Sequence, residues 1–150
     1  MKKIYQWAHQ NYRITTDPDD FDIPSIHQYL TRSSWAKGID LETVTRSISH
    51  SLSFGLFHND KQIGFARIVT DWATFGYLCD VYILEEYQHQ KLGLWLMKCC
   101  HSHPLIMRLR RVMLVTSTAP WLYEKVGYEP INRENFVWGI VRPDIYQKME

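Results

Sequence analysis

One hundred and fifty residues with 45% hydrophobic and 22% charged side chains fit one domain, 1–150, and exclude a disordered chain or two ordinary domains in tandem. Seventeen basic residues against sixteen acidic ones leave a net charge of +1, too little to draw nucleic acid or an anionic membrane by a broad field. No apolar run is long enough to span a bilayer, and Met-Lys-Lys-Ile-Tyr-Gln-Trp does not open a signal peptide, so a soluble cytoplasmic protein is expected.

In chain order, a short opening segment leads to Tyr12-Arg13-Ile14-Thr15-Thr16, a strand by its β-branched and aromatic content, broken by Asp17-Pro18-Asp19-Asp20. Asp22 can cap a helix with Ile23, Ile26, His27 and Leu30 on one face and Pro24 in its first turn. After a loop at 33–38, Asp40 can cap a second helix carrying Leu41, Val44 and Ile48. Strands at 53–57 and 62–69 flank the turn residues His58-Asn59-Asp60-Lys61, a hairpin pattern, and a further strand runs over 77–84.

The period then changes from two to about four. Leu92, Leu96 and Cys100, with Trp95 and Cys99, predict an amphipathic helix over 93–101. The apolar run 112–116 suits a buried strand, Pro120 opens a helix to 125 that Gly127 ends, and 136–141 reads as a last strand. The order implies a mixed α/β (α+β) sheet without internal repeats.

Cys79, Cys99 and Cys100 have no metal-type spacing and read as structural thiols of a reducing compartment. His101-Ser102-His103 has no acidic or cysteine partner at ligand spacing, so no metal site is expected. Arg108, Arg110 and Arg111 read as a solvated helix end, and no nucleic-acid reading motif accompanies them.

Chemistry concentrates where the strand at 77–84 passes through a polar loop into the next helix. A loop opening a helix can bind pyrophosphate through successive backbone N–H groups and the positive end of the helix, with no particular side chain required. The segment Asp80-Val81-Tyr82-Ile83-Leu84-Glu85-Glu86-Tyr87-Gln88-His89-Gln90-Lys91-Leu92-Gly93-Leu94-Trp95-Leu96-Met97 resembles the acyl-CoA signature of GNAT acetyltransferases, Q/R-x-x-G-x-G/A. Gln88 and Gly93 match it, whereas Lys91 occupies the middle glycine. Downstream, Leu122-Tyr123-Glu124-Lys125-Val126-Gly127-Tyr128-Glu129-Pro130 is similar to the family's L-Y-E-K-x-G-F-x-P stretch, and the resemblance extends over 55–130, about half the chain.

The resemblance implies a GNAT acyl-CoA N-acyltransferase fold and an acetyl-CoA-dependent N-acetyltransferase acting by direct attack of a small-molecule or peptide amine on the thioester. Acetyl-CoA would lie along Ile83, Leu84, Gln88, His89, Gln90, Lys91, Leu92, Gly93 and Leu94, with Tyr123 protonating the departing thiolate. Strand alternation puts Asp80 on the face of Leu78 and Tyr82, where it is the candidate general base, a water chain being the alternative. Trp35, Trp72 and Phe75, with Lys37, are candidate acceptor walls because they stand in or beside loops. The rival reading is a non-catalytic acyl-CoA-binding or regulatory module, favoured by Lys91 and by Gln88-His89-Gln90. The sequence leaves the acceptor and the oligomeric state open, a homodimer included.

Overall fold

The computed structural model describes residues 2–147. Its centre is one six-stranded sheet in chain order, from β1 (Gln6–His9) and β2 (Tyr12–Thr15) through β3 (Leu52–His58), β4 (Lys61–Thr70) and β5 (Phe75–Ile83) to β6 (Arg111–Met113). The first four neighbouring pairs are antiparallel, and β5 and β6 run parallel. The opening segment thus contributes a hairpin strand, turned at Gln10 with φ 55°.

The two early helices form where their caps predict. The Asp22 carboxylate accepts from the Ser25 N–H at 3.2 Å to start α1 (Ile23–Thr31), and Asp40 accepts from the Thr43 N–H at 3.2 Å to start α2 (Leu41–Ser49). Ile26 and Leu30, with Val44 and Ile48, go against Phe57, Phe65 and Tyr82 on one face of the sheet. On the other face, α3 (Leu92–Ser102) buries Leu92, Leu96, Met97, Cys99 and Cys100 against Phe54, Leu56, Ile68 and Leu78. A short α4 (Pro120–Glu124) follows β6. No helix among the described residues is long and apolar enough to cross a membrane.

Three expectations need correction. The strand expected at 112–116 is shorter, Arg111–Met113. The segment 136–141 forms no strand, and Trp138 stands 82% exposed: a composition that favours strands does not by itself make a ladder. Leu78 and Tyr82 fall on opposite faces of the sheet, each in a different apolar cluster. The cause is a bulge: Phe65 faces Tyr82 and Arg67 faces Cys79, so Asp80 and Val81 together stand opposite Ala66. Asp80 carries the kink at φ 54°, a left-handed conformation that aspartate tolerates better than most residues. One extra residue shifts every later side chain to the other face.

Candidate active site

The parallel pair β5–β6 is a fork. Phe75, Gly76 and Tyr77 face Arg111, Val112 and Met113, after which β6 ends while β5 continues to Ile83. Beyond Tyr77 that side of β5 has no strand partner among the described residues, leaving edge N–H and C=O groups that can bind an extended ligand as another strand would.

At the open end of the fork the chain enters the loop before α3. The Leu84 N–H donates to the Ile63 carbonyl at 2.7 Å, and a 3-10 turn over Glu85–Tyr87 follows. His89 (φ 66°) and Lys91 (φ 64°) are both left-handed, alternating with residues that are not. Such alternation turns successive N–H groups inward to form an anion-binding concavity. Lys91 is the N-cap of α3 and makes no side-chain cap bond, so the first-turn N–H groups keep their donors free of the chain's own caps. Lysine therefore adopts the backbone conformation for which glycine is the ordinary choice, with its side chain exposed. At Gly93 an added Cβ would meet only Ile83 Cγ1, at 3.9 Å, so the mouth of the helix is open.

The other loop residues hold this shape. Gln88 donates its amide to the Ile83 carbonyl at 2.9 Å, and Gln90 accepts from the Tyr12 hydroxyl at 3.4 Å. Leu92 is buried in the core, so only its backbone can face a ligand, and Leu94 is half-buried. His58, at the end of β3, pairs through Nδ1 with the Tyr87 hydroxyl at 3.1 Å and stacks on Tyr12. Tyr12, His58 and Tyr87 thus tie the loop to β2 and β3, a contact that the turn-like sequence around His58 did not signal.

On the α1–α2 face, the bulge aims Asp80 at two donors. One carboxylate oxygen accepts from Arg67 Nε at 2.9 Å and the other from Trp35 Nε1 at 3.0 Å, while Arg67 Nη1 donates to Ser51 Oγ at 3.1 Å. The Asp80 and Arg67 side chains are 9% and 17% exposed, a mostly desolvated pair. The carboxylate bridges a cation and an indole and so fixes the position of both side chains. On the same side of the sheet, Tyr146 packs against the core, and a Cβ on Gly38 (φ 88°) would stand 3.2 Å from its carbonyl. Sequence reasoning gave Arg67 no role of its own, because its partner Asp80 comes from the neighbouring strand.

Tyr123 lies half-buried on α4, its ring edge-on to Tyr128 at 6.0 Å between centroids. Burial, reinforced by the nearby Cys100 thiol, raises its pKa and keeps the phenol protonated. Its hydroxyl takes no partner among the described residues, whereas Tyr128 bonds His101 Nε2 at 2.8 Å. Burial pushes Cys79 up to about 12 and Cys99 up to about 11, and raises Cys100 as well, so all three thiols stay protonated and poorly nucleophilic.

The three candidate wall aromatics are not brought together. Trp35, 51% exposed, is joined to Asp80 near the open end of the fork. Phase of the strand separates the others: Phe75 begins β5 at its closed end, and Trp72, just before it, has the Lys2 ammonium 3.3 Å over its ring. Phe75 and Ile83 stand eight residue steps apart along the strand, roughly 27 Å. Lys37 is exposed in the loop between α1 and α2. No group of three or more histidine, cysteine or acidic residues among the described residues could hold a metal ion.

Comparison with known proteins identifies the family to which this fold belongs. Residues 49–130 match the acetyltransferase (GNAT) domain family, more than half the chain. A GNAT-family acetyltransferase structure from Xanthomonas campestris pv. campestris is 37% identical, covering 93% of this chain and 99% of that one with a TM-score of 0.88. A Gibberella zeae protein named as an acetyltransferase is 29% identical over 82% of this chain and 81% of its own. A Clostridium acetobutylicum acetyltransferase whose structure holds acetyl-CoA shares the fold at 17% identity and a TM-score of 0.63, covering 88% of this chain and 95% of that one. The chain belongs to the GNAT family of acetyltransferases.

Proposed function

We propose that this protein transfers the acetyl group of acetyl-CoA to an amine of a small molecule or peptide by direct attack. The observation that carries the reading is the uncapped start of α3, with left-handed His89 and Lys91, at the open end of the β5–β6 fork. The N–H groups of 92–94 suit the pyrophosphate of the donor, and the free edge of β5 near Ile83 and Leu84 suits the amide-bearing pantetheine arm. Lys91 adds a cation at the mouth of the loop while keeping the backbone shape expected of a glycine.

In the reaction a neutral amine nitrogen forms a bond to the thioester carbonyl carbon, and the carbon–sulfur bond breaks. A β5 edge N–H stabilises the carbonyl oxygen as it gains charge. The Tyr123 phenol, held protonated by burial, supplies a proton to the departing CoA thiolate. The amine's proton passes to solvent water, because both oxygens of Asp80 are engaged by Arg67 and Trp35. Asp80 serves as a positioning residue that fixes the Trp35 indole as a wall of the acceptor side.

Release of CoA thiol, followed over a panel of small and peptidyl amines, tests the reading. Thiol release dependent on at least one amine is expected. A donor-induced rise in melting temperature without thiol release for any amine would replace it with the non-catalytic acyl-CoA-binding module.

A further inference from the structure

We propose that His58 and Tyr87 are positioning residues: their contact clasps the loop before α3 and holds the left-handed backbone at His89 and Lys91 in its donor-binding shape before acetyl-CoA arrives. The inference rests on the donor site proposed above. A left-handed residue other than glycine is strained, because its Cβ crowds the backbone, and such strain persists only where the surroundings over-determine it. His89 and Lys91 are two such residues, at φ 66° and 64°, with a single residue between them. Both are exposed, and Lys91 makes no side-chain cap bond, so the hold comes from the residues around them.

Strand geometry brings that hold from β3. Alternation puts His58 on the side of Phe54 and Leu56, which is the side that α3 covers. The register sets Tyr12 directly opposite His58, and the two rings stack at 4.8 Å between centroids with 24° between planes. The loop leaves β5 for the same side, where Tyr87 packs against the α3 cluster. The Tyr87 hydroxyl lies 3.1 Å from His58 Nδ1, and its ring meets the imidazole edge-on at 5.3 Å. From the other side of His58, the Tyr12 hydroxyl donates to the Gln90 side-chain oxygen at 3.4 Å. Gln90 is the residue between the two left-handed ones, and Leu92 is buried just beyond them. The strained pair is therefore fixed before, between and after. The Lys61–Glu86 ion pair, 3.9 Å and exposed at both partners, adds little to this.

When only a fraction of the molecules holds the binding shape, apparent affinity falls by that fraction. Without the clasp, a histidine and a lysine relax toward right-handed or extended backbone, and the donor must restore the concavity at the expense of its own binding. A glycine adopts the left-handed conformation freely, so a clasp matters much less to it. The lysine at position 91 and the aromatic clasp thus belong to one arrangement.

Calorimetric titration of acetyl-CoA into the full chain, for the wild type, Tyr87→Phe, His58→Phe and the double variant, tests the proposal. Phenylalanine keeps a ring at each position and removes the hydrogen bond. Each single variant is expected to bind acetyl-CoA roughly five- to tenfold more weakly, and the pair no more weakly than either alone, since both remove one contact. In a Lys91→Gly background Tyr87→Phe should cost about twofold or less, a dependence that a merely structural role would not produce. With an amine that supports thiol release, Tyr87→Phe should raise KM for acetyl-CoA and leave kcat in place. Circular dichroism and melts of the free proteins show that each variant folds. Unaltered affinity in Tyr87→Phe, the same loss in the Lys91→Gly background, or a kcat that falls as far as kcat/KM would each overturn the clasp alone. A wild type that binds no acetyl-CoA would overturn the donor site and the clasp with it.

Discussion

Gly93→Ala should move two readouts of one assay in opposite directions. Gly93 is the second residue of α3, and a Cβ there meets no protein atom closer than Ile83 Cγ1 at 3.9 Å, an ordinary contact. Replacing glycine by alanine in a helix gains roughly 0.5–1 kcal/mol by restricting the unfolded chain and improving propensity. For a chain of this size that raises the melting temperature of the free protein by about 2 °C. The open space that makes the methyl harmless to the fold is also where the pyrophosphate must approach the first-turn N–H groups. Losing one charge-assisted hydrogen bond, worth about 1.5–3 kcal/mol, weakens acetyl-CoA binding by roughly ten- to a hundredfold. Melts with and without saturating acetyl-CoA read both effects, since stabilisation by a ligand follows its concentration relative to its dissociation constant. A variant melting higher when free but gaining as much from acetyl-CoA as the wild type would refute the placement of the donor at this helix.

Lys91→Gly removes left-handed strain of about 1 kcal/mol along with the charge, so the free protein should melt no lower than the wild type while acetyl-CoA affinity loses part of its salt dependence, read by calorimetry at two salt concentrations. Asp80→Asn leaves the Arg67 guanidinium, 17% exposed, without its counter-charge, and should cost about 3 kcal/mol in urea unfolding; an unmoved midpoint would contradict the pairing. Tyr123→Phe keeps the ring packing and should lower turnover by about a hundredfold with little change in acetyl-CoA affinity, measured by thiol release and calorimetry. His101 donates Nδ1–H to the Met97 carbonyl and accepts at Nε2 from Tyr128, and burial holds its pKa below the ordinary 6.5. The unfolded chain therefore binds more protons below that pH, so stability is fully present above about 6.5 and falls with acidification, an effect that His101→Asn should reduce in melts between pH about 7.5 and about 5.5.

Local signals carried most of the fold. Asp22 and Asp40 each satisfy a first-turn N–H, and the apolar spacing behind them chose the buried face, so both helices could be read from neighbouring residues. The bulge at Asp80 could not, because alternation assumes an unbroken register and one extra residue in β5 inverts it. The loop before α3 was visible through Gln88 and Gly93, but only backbone geometry showed that Lys91 holds a left-handed conformation there. Its tether through Tyr12, His58 and Tyr87 joins elements far apart in sequence and leaves no periodic trace. Trp35 and Phe75 look alike as aromatics near loops, and the length of β5 separates them. The segment 136–141 has the composition of a strand, but composition does not supply a pairing partner.

Backbone amide chemical shifts of nitrogen-labelled protein, followed during titration with acetyl-CoA, test most directly whether the donor sits at the fork. The largest changes are expected at Ile83 and Leu84 on the free edge of β5 and at Leu92, Gly93 and Leu94 at the start of α3. Changes confined to residues away from the fork and from the start of α3, or no change at saturating acetyl-CoA in folded protein, would contradict the account.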